Sequence, residues 1–238
     1  MDMISVNTIW TKICLALTLL HTHLYAKDVE VYTEFLPPFQ LMLANQVTGS
    51  ATVQVKQILE NAQLPYHIQM VPWARAYNIV KSTPNTFIYS INRTPEREPY
   101  FHWITVVGEI SNGFIALASE HTHVSKLEDI KHNVTAVVRN GYAHELLQEN
   151  GFTPDKNLYV VSTLEQQIPL LLKGKIKYIF SNLPSVQHAL LKLQLEPSLV
   201  RVIYTEASWT RDLYLATNLN TDPDILRQIK NVSAESLP

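Results

Sequence analysis

The stretch Thr86-Phe-Ile-Tyr-Ser-Ile-Asn-Arg-Thr-Pro-Glu-Arg-Glu-Pro-Tyr-Phe-His-Trp103 changes character at its midpoint. Thr86 to Ile91 is mostly β-branched or aromatic with no helical spacing, which predicts a short buried strand. Asn92 to Pro99 is polar and broken by two prolines, which predicts a loop. In an open α/β sheet, ligands gather where loops leave the carboxyl ends of strands. This loop offers hydroxyls, an amide and guanidinium forks, so Arg97 is the first candidate for ligand contact. The alternative is a solvated turn in which Arg93, Glu96, Arg97 and Glu98 pair with one another, as surface charges commonly and weakly do.

On the amino-terminal side, Val29 to Thr33 alternates like a first strand and runs into Glu34-Phe-Leu-Pro-Pro-Phe39, where the prolines end pairing and hold a loop. Ser50 is placed to cap a helix to about Gln63, with Val55, Ile58, Leu59 and Ala62 along one stripe. Tyr66 to Val71 alternates as a second strand, and Pro72 leads into a helix over Trp73 to Lys81. The order to this point is β-α-β-α-β, which requires right-handed crossovers and a mainly parallel sheet.

A second cycle follows on the carboxyl side. Gly113 to Ser119, Asn133 to Arg139, Leu158 to Ser162 and Ile176 to Ser181 read as strands. Between them lie helical patterns at Lys126 to Ile130, Ala143 to Asn150 ending at Gly151, and Thr163 to Lys173. Pro169 falls inside the last of these, so that helix is expected to be kinked or short. A strand over Leu213 to Thr217 and a helix over Pro223 to Val232 complete the pattern.

Thr94-Pro-Glu-Arg97, trailed by Tyr100-Phe-His-Trp-Ile, resembles the Thr-x-x-Arg signature of bacterial periplasmic solute-binding proteins of family 3. The resemblance covers nearly all of the chain after its first residues. It implies an α/β, two-lobed, type II periplasmic-binding-protein-like fold, each lobe a mainly parallel sheet flanked by helices. Residues 27–110 with 211–238 would form lobe I and 111–210 lobe II. It also implies that Arg97 grips a ligand carboxylate with help from Ser90, Asn92 and Thr94, and that Glu34, Phe35, Leu36 and Phe39 lie on the first ligand loop. Trp73 would face the cleft or the core, with Arg75 beside it. From lobe II, Asn140, Gly141 and Tyr142 would present free N–H groups at a helix start. Asn182 stands where amino-acid binders carry an aspartate for the ligand's ammonium, so the ligand is expected to differ from an ordinary α-amino acid.

Composition narrows the classes further. The 238 residues are 46% hydrophobic and 17% charged with a formal net charge of -2, which gives no basic footprint for nucleic acid or an anionic membrane. Lys12, the apolar run Ile13 to Leu20 and Leu24-Tyr-Ala26 read as an export signal, residues 1–26, cleaved after Ala26 into the periplasm. The sole cysteine, Cys14, falls inside it. The six glycines form neither Gly-x-Gly-x-x-Gly nor Gly-x-x-x-x-Gly-Lys, so no nucleotide cofactor is expected. Gly-x-Ser-x-Gly and His-Glu-x-x-His are also absent, His121 and His123 fall in a solvated loop, and His102 and His144 lack a spaced third ligand, so no metal is expected.

The reading is therefore a monomeric, non-enzymatic binding protein that captures a small polar, carboxylate-bearing solute and passes it to a membrane permease of the ABC-transporter type. Two alternatives stay open. One is an exported dehydratase-like enzyme on the same scaffold, using Glu34 or Glu96. The other is a ligand-sensing subunit for a membrane receptor.

Overall fold

The computed structural model describes residues 28–121 and 123–235. The expected export signal therefore lies outside the described residues. Among the described residues there are twelve strands, β1 (Val29–Thr33), β2 (Leu41–Leu43), β3 (Gln46–Thr48), β4 (Tyr66–Met70), β5 (Thr86–Ile91), β6 (Phe101–Ser111), β7 (Gly113–Leu117), β8 (Thr135–Val138), β9 (Leu158–Val161), β10 (Tyr178–Ser181), β11 (Val200–Tyr204) and β12 (Thr210–Asn218). The α-helices of the described residues are α1 (Ser50–Asn61), α2 (Trp73–Ser82), α3 (Leu127–Ile130), α4 (Tyr142–Glu149), α5 (Gln167–Leu172), α6 (Leu183–Lys192) and α7 (Pro223–Glu235).

The strands form two separate five-stranded sheets, ordered β4-β1-β5-β12-β6 and β11-β7-β10-β8-β9, beside a small β2-β3 hairpin. Each is the sheet of one lobe. Within each sheet the β-α-β units pair in parallel, β4-β1-β5 in one and β10-β8-β9 in the other. The remaining neighbours, β5-β12-β6 and β11-β7-β10, are antiparallel, so both sheets are mixed. The antiparallel strands are those that carry the chain between lobes: β6 runs into β7 through Asn112, and β11 into β12 through Thr205 to Trp209. Long β6 and β12 pair from Phe101 to Ser111, which gives the crossing a continuous ladder.

Every residue of β5 is buried because the strand is central and covered on both faces. Phe87 and Tyr89 join the cluster that includes Val55, Leu59, Leu215 and Ile229, while Ile88 and Ile91 join Trp73, Ala76 and Val80 on the other face. That alternation skips a residue. Tyr89 pairs with Leu215 and Ile91 with Tyr214, leaving Ser90 as the extra residue of a bulge, at φ 60°. The bulge turns Ser90 towards the space between the lobes.

Helix α1 begins differently from expectation. Ser50 is its first residue and Gly49, at φ 121°, occupies the cap position. A Cβ at Gly49 would sit 2.4 Å from Phe39 O, so only glycine fits. The free N–H groups of the first turn are satisfied by the Pro37–Phe39 loop instead of a side chain: Ser50 N donates to Pro38 O, and Ala51 N and Thr52 N to Phe39 O. The helix start thereby fixes the first ligand loop. Around Pro169, the expected long helix is a 3-10 turn, Leu164–Gln166, followed by the short α5, because proline cannot donate to the turn before it.

Candidate functional site

Between the two sheets lies a cavity of about 70 Å³, lined from lobe I by Glu34, Phe35, Leu36, Trp73, Ser90 and Asn92 and from lobe II by Gly141, Tyr142, Phe180, Ser181 and Asn182, among others. At roughly 10–15 Å³ of this measure per water, it holds the equivalent of about five waters. Most of its wall is apolar or aromatic, with few polar groups, as in small-molecule sites generally.

Nine sequence-predicted residues meet at this cavity: Glu34, Phe35, Leu36, Trp73, Ser90, Asn92, Gly141, Tyr142 and Asn182. Ser90 Oγ donates to Gln40 Oε1 at 2.7 Å, and Asn92 Nδ2 to Asp212 O at 3.0 Å, so both are held rigidly. Asn182 caps α6, its Oδ1 accepting from Ser185 N at 3.0 Å. Its Nδ2 has no partner although the residue is only 3% exposed. A buried amide donor left open is costly unless something else accepts from it.

Arg97 and Thr94 are placed elsewhere. Arg97 is 2% exposed and sits behind the cavity wall. Its Nη1 donates to Asn92 O at 3.2 Å, and its Nη2 to Asn140 O at 3.3 Å and Glu145 Oε1 at 2.7 Å. Trp73 and Tyr77 lie 5.3 and 5.6 Å from the guanidinium carbon. Thr94 O accepts from Arg97 N and Glu98 N, closing the turn that presents the arginine. Phe39 packs on the lobe I core, where it limits the space at Gly108, and Arg75 is exposed. Arg93 pairs with Glu98 on the surface, as the solvated-turn alternative has it, while Arg97 does not.

The Arg97–Glu145 pair crosses between lobes, from the loop after β5 to α4. Asn140 O, presented by a residue at φ 57°, also accepts from Trp73 Nε1 at 2.6 Å. A third crossing joins Ser185 Oγ to Pro37 O at 2.5 Å. Around it, Phe35 of lobe I lies 5.7 Å from the His188 ring and 3.9 Å from Lys192 Nζ, both on α6. Protein groups thus clasp the lobes at both ends of the cavity.

Burial pushes the Glu34 carboxyl up to about 8, against the pull of Arg97 and with a small push from Glu165. Burial also raises Glu145, although Arg97 works to lower it. Sequence reasoning missed Glu145. The only signal was its place in the first turn of a helix starting at Tyr142, where acids are favoured by the dipole. Phe180, Ile110 and Asn112 were missed too, since they lie on strand ends and at the lobe crossing.

Two mixed sheets joined by two crossings, with a cavity between them, define a two-lobed fold like that of periplasmic binding proteins. Neither a scan of family models nor a search of curated proteins finds a match. Solved structures do match. A histidine kinase sensor domain with similarity to periplasmic binding proteins has a TM-score of 0.76 at 17% identity, over 88% of this chain and 90% of that one. ArtJ of Geobacillus stearothermophilus, an arginine-, lysine-, histidine-binding protein, has 0.73 at 16%, over 88% and 89%. The second VFT domain of BvgS from Bordetella pertussis has 0.69 at 14%, over 88% of each. The fold implied by the resemblance to family 3 solute-binding proteins is the fold present.

Proposed function

We propose that this chain is an exported, periplasmic solute-binding protein that traps a small polar solute between its lobes and delivers it, as a monomer, to a membrane permease. Residues 27–110 with 211–238 act as one lobe and 111–210 as the other, moving about the crossings near Asn112 and Thr205–Trp209. The observation that carries this reading is the interlobe cavity, with Glu34, Trp73, Ser90 and Asn92 on one side and Gly141, Tyr142 and Asn182 on the other. Ligand contacts from both lobes favour the closed arrangement, which is all that capture and hand-over require. A carboxylate-bearing solute, the class implied by the resemblance, reaches Arg97 only by displacing Glu145.

A second reading, a ligand-sensing subunit, draws support from the histidine kinase sensor domain among the similar structures. Both readings require a ligand. A thermal-shift screen of small solutes tests them together, since a ligand at a hundred times its dissociation constant stabilises by about 2.7 kcal/mol. The hit must be weakened by Trp73→Ala and must not be turned over. A screen without any stabilising solute refutes both readings.

A further inference from the structure

Resting on the solute-binding reading, we infer that the cavity selects a small organic ammonium cation that lacks a carboxylate, its charged end against Glu34 and a neutral oxygen accepting from Asn182 Nδ2. Three observations lead there. First, the cation expected to hold a carboxylate is already satisfied: Arg97 has Glu145 as its counter-ion, two carbonyls as further acceptors and two rings beside it, and it does not line the cavity. Second, Glu34 is the one carboxyl among the described residues lining the cavity. The other nearby cations are balanced or outside. Lys192, over Phe35, pairs with Glu165, and Arg211, over the Tyr142 ring, is exposed. Third, the open donor of Asn182 asks for an acceptor.

The electrostatics follow from this placement. A ligand carboxylate in so small a space would find no free cation to offset its desolvation, and its charge would further disfavour ionisation of Glu34. An ammonium there has a carboxylate to offset its desolvation. Phe35, Trp73, Tyr142 and Phe180 supply apolar contact for its carbon atoms and π faces for its charge. Burial keeps Glu34 largely protonated near neutrality, so uptake of a cation displaces that proton. A solute of this size has few non-hydrogen atoms.

The test uses four matched probes on the mature protein by calorimetry and thermal shift: ethanolamine, ethylene glycol, glycolate and glycine. They share a two-carbon frame and differ in charge. Ethanolamine is expected to bind at least tenfold more tightly than the other three. Glu34→Gln should reduce that affinity at least tenfold without lowering the melting temperature. Glu145→Gln, which releases Arg97, should strengthen glycolate and glycine relative to the parent. Glycolate, glycine or ethylene glycol binding as tightly as ethanolamine in the unmodified protein overturns the inference while leaving the solute-binding reading intact. So does ethanolamine binding that survives Glu34→Gln, or a screen whose hits are all anionic or neutral. A protein that binds no solute of any class instead removes the reading beneath it.

Discussion

Removing Glu145 should open the protein more than it unfolds it. Glu145→Ala takes away the counter-ion of a guanidinium that is 2% exposed and leaves it two backbone carbonyls. Stranding a buried charge costs about 3–5 kcal/mol when the surroundings cannot rearrange. Here they can, because the pair lies across the lobes and opening returns Arg97 to water. The loss in folding stability is therefore expected to be smaller, about 1.5–3 kcal/mol, the range of one charge-assisted hydrogen bond. Arg97→Ala removes the same 2.7 Å bond together with both carbonyl contacts. Adding the double variant completes a cycle whose coupling energy should be about 1.5 kcal/mol or more. Urea denaturation of the four proteins gives the coupling, and small-angle scattering should show a larger radius of gyration for Glu145→Ala. A coupling below about 0.5 kcal/mol with unchanged scattering would refute the idea that the Arg97–Glu145 pair holds the lobes together.

Further outcomes follow from individual residues. The folded Glu34 carboxyl sits near 8 against an ordinary 4.5, so the stability that comes with its neutral form is complete at low pH and lost as pH rises through about 8. Glu34→Gln should accordingly match the parent in melting temperature near pH 4 and exceed it increasingly towards pH 8, and a constant difference across that range contradicts the assignment. Because burial raises the Glu34 carboxyl to about 8, calorimetry at pH 7 in buffers of different ionisation enthalpy should show net proton release on ethanolamine binding, and no net release contradicts the placement of the ammonium against Glu34. Gly49→Ala should destabilise by about 2–4 kcal/mol in urea titration, because the new methyl meets Phe39 O in a backbone conformation reserved for glycine. At Asn140 only the carbonyl bridges the lobes, so Asn140→Gly should keep scattering and stability near the parent. Asn140→Val, forced into φ 57°, should lose at least about 1 kcal/mol.

The strand and loop of Thr86 to Trp103, the alternation of strands and helices on either side, and the break at Pro169 were legible because each is written in local chemistry: β-branched runs, apolar stripes and prolines. The β2-β3 hairpin, β11 and α6 were not read. Nor was the length of β6, which shares its aromatic residues with the stretch read as trailing the loop. Nine of the expected site residues lie on one cavity because loops at the strand ends of both sheets converge there, a consequence of order along the chain. What Arg97 touches is another matter. Its sequence neighbourhood specifies a guanidinium on a loop, but its counter-ion is 48 residues away on the other lobe. Likewise, nothing near Asn182 in sequence says that one end of its amide caps a helix while the other stays open. Pairing of buried charge and open donors depends on which surfaces the closed lobes bring together, and only the tertiary structure decides that.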